Sequence, residues 1–106
     1  MSTDFYCDDV LSGRTPVEKV YETEKVLAYH HTQPFWETHI VVIPKTHVDN
    51  LLTADFELLN ELLDVVKTVS GLVLSDRGGA RVLTNLGEYQ DSKHLHFHVS
   101  SGKQIR

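Results

Sequence analysis

The chain has 106 residues, 41% of them hydrophobic and 24% charged, the size and composition of one ordinary globular domain and neither a disordered nor a fibrous chain. Fifteen acidic residues against ten basic ones leave a net charge of −5 with histidines neutral, so there is no general attraction for nucleic acid or for an anionic membrane. No apolar run approaches the ~20 residues that cross a bilayer, Met1-Ser2-Thr3-Asp4 opens with no basic or apolar targeting region, and a single cysteine, Cys7, makes no internal disulfide; together these predict an intracellular, cytoplasmic protein.

In chain order, the stretch from Ser2 to Thr15 is polar and aperiodic, and predicts a short irregular or helical segment ended by Gly13 and Pro16. Val17, Val20 and Tyr21 predict a first strand, and Val26-Leu27-Ala28-Tyr29 a second across a polar turn. The segment from His30 to Thr38 reads as a loop by its proline, Pro34, and carries Phe35 and the single tryptophan, Trp36. His39-Ile40-Val41-Val42-Ile43 is a β-branched run halted by Pro44, which predicts a central strand buried on both faces. From Thr53 the period changes: Phe56, Leu59, Leu62, Leu63, Val66, Val69 and Val73 recur at helical spacing, which predicts one long amphipathic helix capped by Thr53 and ended around Ser75 to Gly79. Residues 80–85 predict another strand, and a polar loop over 86–93 leads to a last strand containing His94-Leu95-His96-Phe97-His98-Val99. Several strands around one helix, joined by short connections, argue for α+β with a mostly antiparallel sheet.

That last stretch carries the chemistry. On an extended chain His94, His96 and His98 share one face and Leu95, Phe97 and Val99 the other. Any polar residues would satisfy a half-exposed strand, whereas histidine is a rare residue, so three of them on one face point to a site. Imidazoles ligate metals, yet three ligands along one straight strand converge poorly, the outer pair being roughly 13 Å apart at Cα. Clustered imidazoles oppose one another's protonation and favour neutral rings near pH 7. A neutral ring nitrogen can attack phosphorus, and the middle histidine, His96, has a neighbour on each side to assist it.

The run His94-Leu95-His96-Phe97-His98-Val99-Ser100 resembles the His-x-His-x-His signature of the histidine triad (HIT) superfamily. The resemblance extends to Cys7 through Gly13, Lys19-Val20-Tyr21-Glu22, Val26-Leu27-Ala28, the run from His39 to His47 and Val99 through Gln104, in the order of the Hint-like branch, and covers roughly the whole chain. It implies one HIT domain over residues 1–106: a five-stranded sheet with one long helix, paired with a second copy into ten strands as a homodimer. It also implies a nucleotide-binding hydrolase or transferase acting at the α-phosphate of nucleoside phosphoramidates or related conjugates. Dinucleoside polyphosphates are the alternative substrates, and a weakly catalytic nucleotide-binding regulator the alternative role. His96 would attack phosphorus to give a nucleotidyl-histidine, with His98 assisting charge stabilisation and proton transfer. His94 and His39 would form a buried pair supporting the nucleophile. Asn85 and Gln90 fall where the family contacts phosphate or leaving group, with Asp91 and Ser92 beside them.

Two departures bear on substrate choice. His31 stands where Hint-like proteins carry an aspartate for the ribose hydroxyls, and an imidazole cannot accept two hydroxyl donors as a carboxylate does. Asp91 replaces a small hydroxyl residue, and a carboxylate repels phosphate unless protonated or aimed at a leaving amine. The resemblance requires no cofactor. Some members hold a structural zinc, and the positions matching its ligands are Asp4, Cys7, His47 and His94, with Asp4 in place of a cysteine; the simpler reading makes Cys7 a small buried residue and His47 a loop or core histidine. A metal-binding protein using His47 and His94 is the third functional class.

Overall fold

The computed structural model describes residues 6–106. Its strands are β1 (Lys19–Glu22), β2 (Val26–His30), β3 (Trp36–Pro44), β4 (Arg81–Thr84) and β5 (Phe97–Gln104), with one long helix, α1 (Phe56–Arg77), and a single wide helical turn over Tyr6–Val10. All strand pairs are antiparallel, in the order β1-β2-β3-β5-β4. The α+β architecture, with one five-stranded antiparallel sheet and one long helix, is therefore the predicted one.

The two faces of the sheet are covered differently. Along α1, Leu62, Val65, Val66, Val69 and Val73 form the buried stripe, packed on Val26, Ala28, Ile40, Val42, Leu95, Phe97 and Val99. Each such side chain contributes about 1.5–3 kcal/mol by leaving water. Phe56 and Leu63, expected in the core, are 83% and 43% exposed: at 100° per residue they fall past the edge of a stripe centred on Leu62, Val66, Val69 and Val73. The opposite face presents Leu27, Tyr29, Val41 and Ile43, covered by Tyr6 and Val10 of the N-terminal turn. Burial on both faces is why β2 and the second half of β3 read as unbroken apolar runs.

The ends of α1 differ from expectation. Asp55, not Thr53, is the N-cap: its backbone is extended and its carboxylate accepts the Leu58 N–H at 2.8 Å. Thr53 closes the preceding turn instead, its hydroxyl donating to the Asn50 carbonyl at 3.2 Å. Ser75, Asp76 and Arg77 stay helical, because Gly78, at φ +82°, is the first residue to take the left-handed conformation that ends the helix. Trp36, Glu37 and Thr38, read as loop, already belong to β3, whose register shifts between Trp36 and Thr38.

The histidine stretch also departs from the predicted strand. Extended pairing begins only at Phe97, opposite Val42 on β3 and Thr84 on β4. Before it the chain leaves the ladder: the Leu95 N–H donates to the Val48 carbonyl in the loop after β3, at 2.6 Å. Side-chain alternation nevertheless persists through the irregular segment, Leu95 joining the helix-side core.

Candidate active site

Four imidazoles lie on the face away from α1. His39 and His98 are set by sheet register: His98 opposes Val41 while His39 opposes Ser100, so the two are diagonal neighbours across β3 and β5. His31 follows β2 and is pinned by its N–H donating to the His39 carbonyl at 2.8 Å. Its ring stacks on His39 with centroids 4.4 Å apart, and His96 lies edge-on to His98 at 4.8 Å. The Tyr6 ring covers His96 at 5.0 Å and His94 at 5.5 Å.

Backbone groups decide which nitrogen of each ring carries the proton. His96 Nδ1 is 2.7 Å from the His94 carbonyl, an acceptor only, so Nδ1 holds the hydrogen and Nε2 keeps a lone pair. The Phe35 N–H donates to His39 Nδ1 at 3.0 Å, which places the His39 proton on Nε2. That Nε2–H donates to His98 Nδ1 at 2.9 Å, so His98 in turn carries its proton on Nε2. The result is an acceptor nitrogen on His96 beside a donor nitrogen on His98.

Burial keeps these rings neutral. It is the leading cause of a depressed pKa in all four, reinforced by the neighbouring imidazoles: His39 falls to about 4, His98 to about 3, and His96 and His31 move below the ordinary histidine value. The carbonyl of His94 and the carboxylate of Asp91 act the other way on His96.

Two cavities meet at His98. One, of about 320 Å³, is lined by His31, Phe35, Asp91, Ser92, His96, His98, Arg106 and both Tyr6 and Tyr29. The other, of about 220 Å³, holds Asn85, Trp36, His39 and Leu83, and shares Phe35, Asp91 and His98 with the first. The geometry presents a ring nitrogen with a lone pair, on His96, in the lining of the first cavity and a hydrogen-bond donor, on His98, in the lining of both.

The profile of the HIT domain matches residues 12–105. This chain belongs to the HIT-domain family. An uncharacterised 13.2 kDa HIT-like protein of Azospirillum brasilense is 36% identical over 103 residues, covering 91% of this chain and 84% of that protein. The adenosine 5′-monophosphoramidase of Candida albicans is 32% identical over 98 residues, 85% of this chain and 64% of that one. Among solved structures, a hypothetical histidine triad nucleotide-binding protein of Sulfolobus tokodaii superposes with a TM-score of 0.83 at 34% identity, over 95% of this chain and 70% of that chain.

Within this HIT domain the predicted site residues divide. His96, His98, His31, Asp91 and Ser92 line the first cavity, and His39 and Asn85 the second. His94 and His39 do not form a supporting pair: His94 is fully buried with Nε2–H donating to the Pro44 carbonyl at 2.9 Å, and it serves His96 through its backbone, while His39 serves His98. The cause is position along the strands: His94 meets β3 at its last residue, Pro44, whereas His39 lies opposite Ser100, on the far side of His98. Gln90 is also placed elsewhere: its side-chain amide donates to the Asp49 carbonyl at 2.6 Å and lines neither cavity. The sequence reading missed Tyr6 and Arg106, which no motif marks; each reaches the site from a terminal segment. Trp36 packs under the Arg81 guanidinium at 4.2 Å, and Phe35 under that of Arg106 at 4.2 Å.

Of the predicted zinc ligands, Asp4 lies outside the described residues. Cys7, His47 and His94 bring one donor atom each to within 4.8 Å of one another. His94 Nδ1, the nitrogen not bonded to Pro44, lies 3.5 Å from Cys7 Sγ. His47 gives its Nε2–H to Asp49 at 2.7 Å, the carboxylate backing typical of a ligating histidine. A thiol and two imidazoles so arranged suit zinc.

Proposed function

We propose that this HIT-domain protein is a nucleotide-binding hydrolase or transferase acting at the α-phosphate of nucleoside phosphoramidates or related conjugates, with His96 as nucleophile. The observation that carries the reading is the tautomer pair, His96 with a lone pair on Nε2 beside His98 with a proton on Nε2. The names of two relatives, an adenosine 5′-monophosphoramidase and a hypothetical nucleotide-binding protein, point the same way.

In the first half-reaction His96 Nε2 bonds to phosphorus. The bond to the leaving group breaks with its electron pair going to the leaving atom, which takes up a proton from solvent. The positive charge that develops on the His96 ring is met by the His94 carbonyl at Nδ1. His98 Nε2–H donates to an oxygen on which negative charge builds, held in place by the chain through His39 to the Phe35 amide. In the second half, water adds to phosphorus and loses a proton to solvent as the P–Nε2 bond breaks, restoring neutral His96. No cofactor is needed for these steps. A zinc on Cys7, His47 and His94 would supply structure, bracing the residue whose carbonyl orients His96.

The chain works as a homodimer in this reading, joined through β4. This edge strand exposes apolar side chains on both faces, Val82 at 47% and Leu83 at 44%, an arrangement that monomers avoid. Sedimentation should give twice the chain mass, and Leu83→Lys should give single chains; a monomeric parent protein would overturn the pairing.

Incubation with an adenosine 5′-phosphoramidate, followed by intact mass measurement without acid, should show an added nucleotide that is absent in His96→Ala. That variant should lose at least about 10³-fold in kcat. No turnover of purine or pyrimidine phosphoramidates, or of dinucleoside polyphosphates, would leave the protein a nucleotide binder without catalysis.

A further inference from the structure

The first cavity sets His31 and Arg106 in one lining with His96, His98 and Asp91, the last of which also borders the second cavity. His31 and Arg106 share Phe35. The Phe35 ring meets His31 edge-on at 6.0 Å and lies under the Arg106 guanidinium at 4.2 Å. The tail is tied there by the Ile105 N–H, which donates to the Phe35 carbonyl at 2.8 Å. His31 is one ring removed from the triad, 6.2 Å from His98 by centroids.

His31 has a fixed polarity. The Gln33 N–H donates to its Nδ1 at 3.0 Å, so the neutral ring carries its proton on Nε2 and offers only a donor there. Arg106 likewise has five donors and no acceptor. Of the charged residues acting on His31, Arg106 weighs more than Asp91, whereas Asp91 is the charged residue that acts on His96. The hydroxyl oxygens of a sugar diol can accept from these donors, but the pair offers no acceptor for the O–H groups and a neutral diol brings no charge to match the guanidinium. A second phosphate brings acceptors and negative charge, which both groups satisfy.

Resting on the nucleotide reading above, we infer that His31 and Arg106 form an anion-accepting subsite that selects nucleotides carrying a second phosphate on the sugar over those with a free 2′,3′-diol. With the 5′-phosphate on His96 and His98, the sugar is the next group of the nucleotide, and His31 lines the same cavity with its ring 6.2 Å from that of His98.

The test is calorimetric binding of adenosine 5′-monophosphate against adenosine 2′,5′- and 3′,5′-bisphosphates at fixed ionic strength. At least one bisphosphate should bind about tenfold tighter or more, the scale of a charge-assisted hydrogen bond. His31→Asp should reverse the order, and Arg106→Gln should narrow it. Equal binding of all three by the parent protein overturns the subsite, as does a preference unchanged in His31→Asp. The two readings separate cleanly: nucleotidyl-His96 formed from the diol phosphoramidate without bisphosphate preference removes the subsite alone, and bisphosphate preference without turnover removes the catalytic reading alone.

Discussion

The two faces of the sheet are built from the same few residues and obey different rules. Leu95, Phe97 and Val99 enter an apolar cluster of many interchangeable contacts on the α1 side, where dispersion and burial add up without direction. His96 and His98, interleaved with them, each depend on one directed partner: the His94 carbonyl for one, His39 Nε2 for the other. Losing one methylene on the helix face weakens the fold by a fraction of its total. Losing one hydrogen bond on the imidazole face changes which nitrogen holds a proton two residues away, so the helix face is redundant and the other is a chain.

The largest effect that tests this contrast follows from its middle link. His39→Ala leaves the Phe35 N–H without its acceptor and His98 Nδ1 without its donor, so the His98 proton is free to move to Nδ1. We expect kcat to fall about 10²-fold with KM little changed; an unchanged kcat in stopped-assay kinetics would show that the tautomer chain plays no part.

The same links set a pH dependence of stability. His39 and His98 have folded-state values of about 4 and about 3, against ~6.5 for an unfolded histidine. Between these limits the unfolded chain holds more protons than the folded one, so stability is complete above ~6.5 and falls as pH drops toward 3–4. Thermal melting from pH 7 to 4 should show this decline, and His39→Ala should flatten it. An equally steep decline in the variant would place the proton-linked cost elsewhere.

The contrast also explains what could be read in advance. Periodicity marks a face, and it located β2, most of β3, α1 and the alternation of residues 95–99, because the spacing of apolar residues along the chain sets which of them can share one buried face. It did not show where Phe97 begins to pair, since that depends on Leu95 donating to Val48 in a distant loop. The triad was legible as a rare residue repeated at strand spacing. Its division of partners was not, because the deciding groups are backbone atoms of His94, Phe35 and Pro44, which every residue possesses. Gln90 shows the converse: a side chain suited to phosphate is turned to Asp49 by a hydrogen bond that its type cannot announce.

The smallest effect lies on the helix face, where direction matters only at the start of α1. Thr53 and Asp55 are both good capping residues by type. Only the Asp55 carboxylate reaches an α1 amide, Leu58 N–H, where it also meets the positive end of the helix dipole. Asp55→Ala should therefore cost about 1 kcal/mol in urea unfolding. Thr53→Ala removes two long, exposed hydroxyl bonds in the preceding turn, one to the Asn50 carbonyl and one from the Asn50 N–H, and should cost less than about 0.5 kcal/mol. Activity should be unchanged in both, because α1 contacts the sheet through the face that carries no imidazole. Equal losses from the two variants would mean that the cap is shared across the turn, and a kinetic defect in Asp55→Ala would mean that the two faces communicate through the sheet.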